Sequence, residues 1–183
     1  APVHSDLIRS VMQVAALDGD MQVFDWFDKQ FRASEIEHER LNILVALGCF
    51  KDKTLIKKSQ NDVLEAVPPR NKVIPVLAMA SNPHAISSMW DWYVSNLQEI
   101  EKFHPLLYER VIASIVPVAG MRRADEVKAF FDDIPHEISF RPYTDDFVIS
   151  GNKNGTHFIV IHFFKCGKEC CTHGNRDNLP SLV

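Results

Sequence analysis

The feature that most constrains this chain is a run of short helical segments, each opened or closed by a capping residue, from Ser5 to about Asp133. Strand-like alternation is absent from that stretch, and each segment has the usual length of three to four turns. The first carries Leu7, Ile8, Val11, Met12, Val14 and Ala15 at helical spacing. It stops at Asp18-Gly19-Asp20, where glycine ends a helix and aspartate can cap the next by accepting from free amide donors. Val23, Phe24, Phe27 and Phe31 form the stripe of a second segment. Ser34 and Glu37 have the spacing of a capping box for a third, which runs toward Gly48.

That third segment sets Leu41, Leu44 and Val45 on one face and Ile43, Leu47 and Phe50 on another, so it is expected to be covered on both sides. Asp52 caps a fourth, with Leu55, Ile56, Val63 and Leu64, and Pro68-Pro69 closes it because proline brings no amide donor. A fifth starts near Lys72. Asn82-Pro83 reads as an N-cap with proline at the first helical position, ahead of Ile86, Met89, Trp90 and Tyr93. Pro105 similarly opens a seventh segment, with Leu107, Val111, Ile112, Ile115 and Val116, and Gly120 follows it; an eighth holds Val127, Phe130 and Phe131.

Short helices that are apolar on two sides bury those sides best in stacked pairs. The expected fold class is therefore all-α, a superhelix of paired antiparallel helices of the HEAT or armadillo kind, although the sequence shows no strict period. After Ile134-Pro135 the composition changes. Phe147 to Ile149, a polar turn from Gly151 to Gly155, and Phe158 to Phe164 resemble a short β-hairpin, and Gly174 to Val183 is polar and turn-rich like a poorly ordered terminus. The expected organisation is a helical-repeat domain over residues 1–134 and an atypical tail over residues 135–183.

Charge and composition close several function classes. A formal net charge of −4 with scattered basic residues leaves no stripe for nucleic acid. No apolar run approaches the roughly 20 residues that span a bilayer, and His162 interrupts the longest. The start at Ala1-Pro2-Val3-His4 has neither an initiator methionine nor a secretory pattern, which predicts a fragment or a trimmed product. Cys49 stands alone while Cys166, Cys170 and Cys171 crowd the end, unlike a disulfide framework; a reducing, cytoplasmic setting is expected.

A zinc-peptidase helix needs histidines at i and i+4 with glutamate beside the first. His38-Glu39 and His136-Glu137 both lack the second histidine, so no catalytic residue is assigned. His162, Cys166, Cys170, Cys171 and His173 carry donor atoms suited to zinc, yet their spacing matches no standard finger, and free thiols in a tail are the plainer reading. Asn154-Gly155-Thr156 fits a glycosylation sequon without a secretory context. Trp90 and Tyr93, with Trp92, Trp26, Phe24 and Phe27, are candidates to line a peptide groove, although aromatic stripes at helical spacing more often face a core. Arg122 and Arg123 are candidates for a peptide carboxylate, which a guanidinium fork matches; a solvated helix start is the commoner explanation.

Arg40 to Gly48 (RLNILVALG), Pro69 to Asn96 (PRNKVIPVLAMASNPHAISSMWDWYVSN) and Val127 to Phe131 (VKAFF) together resemble the C-terminal domain of aminopeptidase N-type zinc metallopeptidases, over roughly residues 1–134. The resemblance implies a noncatalytic superhelix that caps a catalytic domain, encloses the substrate cavity and helps select peptides. Its partners would be that catalytic domain and the peptide. In such enzymes zinc polarises the scissile carbonyl and activates water with glutamate as base. The ligands lie upstream of the region matched, so no cofactor is expected in this chain and zinc is expected in the catalytic domain. In some relatives a basic residue just before the Asn-Pro pair holds the peptide's C-terminus; Ser81 stands there, and that role is not carried over. The family says nothing about residues 135–183. The rival reading is a free-standing helical-repeat scaffold for protein partners, and a third is a small zinc-binding adaptor that uses the tail.

Overall fold

The capping aspartates divide the helices as their chemistry demands. In the computed structural model, which describes residues 5–132 and the strand residues 138–140, 146–149, 152–153, 156–157 and 161–164, α1 (Ser5–Leu17) gives way to α2 (Met21–Ala33) at Asp20. The Asp20 carboxylate accepts from the amides of Gln22 and Val23 at 2.9 and 3.2 Å, donors that the first turn of a helix leaves free. Asp52 does the same for α4 (Lys53–Glu65), accepting from Thr54 and Leu55 at 2.7 and 3.1 Å. Between these lies α3 (Glu37–Leu47); a 3-10 turn at Pro69–Asn71 then leads to α5 (Val73–Ser81), α6 (Ile86–Ser95), α7 (Leu97–Ile100) and α8 (Pro105–Asp132).

The chain divides into two compact units, residues 1–128 and 129–183. In the first, α3 packs on α1, α2 and α5, and α5 packs in turn on α4 and α6. Ile43, Leu44, Ala46 and Leu47 are all buried, so α3 is covered on both faces as its sequence requires. Phe24 and Phe27 of α2 meet Phe50 at ring separations of 5.2 and 6.3 Å, an aromatic cluster at the end of α3. Gly48 lies where α3 meets α5: a Cβ there would collide with Ala78 Cβ and stand 3.0 Å from Pro75 O, so close approach demands glycine.

Three local expectations are corrected. Ser34 does not form a box with Glu37; its hydroxyl accepts from the Ile36 amide at 3.2 Å and donates to Glu39 at 2.8 Å. Glu37 is drawn instead to Arg70, 3.1 Å away across the fold. Asn82 is the C-cap of α5 rather than the N-cap of α6. Its side-chain amide donates to the carbonyls of Gly48 (3.0 Å) and Phe50 (2.8 Å), while its Oδ1 accepts from the His84 amide at 3.0 Å. Nor do the seventh and eighth segments part at Gly120. α8 continues past Pro117 and breaks its helical backbone at Arg123, where φ is −136° and ψ is 43°. Val111, Ile115, Val116 and Ala119 are buried along one side of α8, and that packing outweighs the local penalties of proline and glycine.

The second unit contains β1 (Ile138–Phe140), β2 (Asp146–Ile149), β3 (Asn152–Lys153), β4 (Thr156–His157) and β5 (Ile161–Phe164). Strands β1, β2 and β5 form an antiparallel sheet in that order, with Phe147 opposite Phe163, and β3 pairs with β4. Among the described residues, no helix is long and apolar enough to cross a membrane.

Candidate functional site

The four residues that the sequence offers for peptide contact, Trp90, Tyr93, Arg122 and Arg123, differ in burial. Trp90 and Tyr93 lie on the inner side of α6 with 2% and 0% of their surface exposed. Their rings stack at 5.7 Å with a 31° tilt. The Tyr93 hydroxyl lies 3.4 Å from that of Tyr108, and burial pushes the Tyr93 phenol far above its usual pKa, so it stays protonated. Trp90 Nε1 donates to Glu126 at 2.9 Å. Both rings thus belong to the core.

Arg123 sits at the break in α8 and bonds Asp91 at 2.6 Å and Glu126 at 3.3 Å. The hydrogen bond that Arg123 donates to Asp91 raises the guanidinium pKa further. Trp90, Glu126, Arg123 and Asp91 therefore form one chain of contacts that ties α8 to α6. Arg122 is exposed and stands apart from it. Sequence reasoning missed Asp91 and Glu126, since neither lies in a motif and the bonds that join α6 to α8, Asp91 to Arg123 and Trp90 to Glu126, span 32 and 36 residues. A peptide carboxylate would have to compete for Arg123 with two carboxylates already in place.

A second feature lies on the layer formed by α1, α3 and α5. A cleft of about 650 Å³ is lined by Val14, Leu17, Val45, Cys49, Ile74 and Leu77, with Ser81 and Asn82 also on its wall. The Cys49 thiol donates to Val45 O at 3.2 Å, and burial pushes its pKa up, so it is a packed thiol rather than a nucleophile. Beside the cleft, α1 turns Leu7, Val11 and Val14 to solvent, with 57%, 59% and 67% of their surface exposed. These residues recur every three or four positions and share one side of the helix. Ala16 is buried on its other side, with Met12 packed against the core. The sequence signal was present: α1 has too many apolar residues for a single stripe.

The metal candidates are placed as follows. His38 is exposed on α3, 3.5 Å from the Asn42 amide, and Glu39 bonds Ser34. His136, Glu137, Cys166, Cys170, Cys171 and His173 lie outside the described residues, as do Asn154 and Gly155 of the sequon, whose Thr156 opens β4. His162 belongs to β5, where it pairs with Val148. Among the described residues, no three His, Cys, Asp or Glu side chains converge on a point where they could hold a metal.

Comparison with known proteins extends these observations. Residues 1–144 match the model of the ERAP1-like C-terminal domain. Over 110 residues the chain is 22% identical to a probable aminopeptidase 2 of Sulfurisphaera tokodaii, a match that covers 58% of this chain and 14% of that protein.

Proposed function

Since the chain belongs to the ERAP1-like C-terminal domain family, we propose that it serves as the noncatalytic C-terminal domain of a zinc aminopeptidase, enclosing the substrate cavity and helping to select peptides. Supporting this reading above all is the outward apolar side of α1, Leu7, Val11 and Val14, which a free-standing helical stack would make polar. A domain that continues a superhelix and rests on a catalytic part covers such a face. In this reading residues 1–134 are the domain, residues 135–183 are an appendage, and the setting is reducing and cytoplasmic. Zinc and its ligands belong to the catalytic part.

Peptide contact falls to Arg122 and Arg123, above a floor of Trp90 and Tyr93 in which Trp90 holds Glu126 beside Arg123. The 183-residue chain alone, supplied with zinc, should release no N-terminal residue from a chromogenic amino-acid amide. Mixed with a separately expressed catalytic part, it should elute as a complex. Zinc-dependent hydrolysis by the chain alone, or the absence of a complex, would count against the reading.

A further inference from the structure

A different cleft, of about 570 Å³, opens between α4 and α6, a volume typical of small-ligand pockets. Its wall carries the polar side chains of Lys53, Lys57, Asn61, His84 and Ser87 beside the apolar Ile56. Gln60 closes part of the floor: it is 6% exposed, and its Nε2 donates to Ser88 Oγ at 3.0 Å. Lys53 and Lys57, one helical turn apart, are exposed on the same side of α4. Among the described residues neither enters an ion pair, whereas Lys58 beside them pairs with Asp62. The acidic residue on the wall, Asp91, is already engaged by Arg123 at 2.6 Å. The cleft therefore carries a net positive charge on a chain whose overall charge is −4.

The second observation is independent. Trp92, 6% exposed, lines this cleft, and its Nε1 is buried with no acceptor among the described residues. A buried donor left without a partner is costly, and most such groups in proteins find one. Two residues away, Trp90 satisfies the same group with Glu126. We propose that the α4–α6 cleft binds an acidic peptide segment, with side-chain carboxylates on Lys53 and Lys57 and a main-chain carbonyl accepting from Trp92 Nε1. The site is distinct from the apolar cleft beside α1, and its failure would leave the proposed domain role untouched. Nε1 is covered in the free chain, so an acceptor reaches it only as the cleft side chains shift.

The indole N–H resonances provide the readout, because the chain has three tryptophans and Trp92→Phe identifies the relevant signal. The probes are N-acetyl tetraglutamate amide, its glutamine counterpart and inorganic phosphate, each titrated into the full chain. The glutamate peptide should move the Trp92 signal to saturation at millimolar concentration and leave that of exposed Trp26 in place. Replacing Lys53→Gln and Lys57→Gln together should weaken the response about tenfold while the thermal melt stays the same. A Trp92 signal that does not move, that moves equally with the glutamine peptide or with phosphate, or that ignores the lysine changes would overturn the proposal.

Discussion

Helices α1 and α3 pack against each other, yet they are covered to different extents. α3 is apolar around its circumference, and α1, α2 and α5 cover it. α1 is also apolar on two sides, yet only the side with Ala16 and Met12 is covered, while Leu7, Val11 and Val14 face water. A helix apolar on two sides suits the interior of a stack, and it stays recognisable where one side is left open. Helical-repeat proteins normally finish with a polar outer face for solubility, and α1 does not.

The comparison breaks if the two helices respond alike to truncation. Leu44→Ala, at a side chain with no exposed surface, should cost about 3 kcal/mol in urea unfolding, through lost burial and the cavity left behind. Val11→Ala should stay within about 0.5 kcal/mol of the parent. Equal losses would show that the outer face of α1 is already covered in the isolated chain.

A smaller effect sharpens the account of how α3 is tied to the helices that follow. Asn82→Ala removes the donor to the buried carbonyls of Gly48 and Phe50 and should destabilise by about 2 kcal/mol. A loss below about 0.5 kcal/mol, the level of a surface change, would deny Asn82 that role.

The smallest effect concerns α4. Burial holds the Asp62 carboxyl above its usual pKa, against the pull of Lys58 at 3.8 Å. The folded chain therefore binds that proton more tightly than the unfolded one. The resulting stability is complete below the unfolded pKa and is lost as pH rises through the folded value. Asp62→Asn should flatten that part of the stability–pH curve and raise neutral-pH stability by no more than about 0.5 kcal/mol, given solvent screening. An unchanged slope between acid and neutral pH would remove Asp62 as its source.

What the sequence made legible follows from the range of the forces involved. Asp20 and Asp52 bond amides two and three residues ahead, so their caps are readable locally. So is the two-sided character of α3, because helical spacing alone reveals it. The misread positions are those whose partners lie far along the chain. Glu37 is claimed by Arg70, and Asn82 reaches back to Gly48 and Phe50. The break in α8 falls at Arg123, where Asp91 and Glu126 hold the side chain, instead of at Gly120. At the candidate site, the arginines and aromatics were visible as types. Their division into a buried floor and a paired guanidinium depends on α6 and α8 coming together, which no local spacing encodes.

In the role proposed above, the outer face of α1 is the surface that meets the catalytic part of an aminopeptidase. Calorimetric titration of the 183-residue chain into the separately expressed catalytic part, beside a Val11→Lys, Val14→Lys variant, tests it most directly. A one-to-one complex is expected, weakened at least about tenfold by the two lysines, with little change in the melting temperature of the chain alone. No complex, or one of equal affinity with the lysines in place, would contradict it.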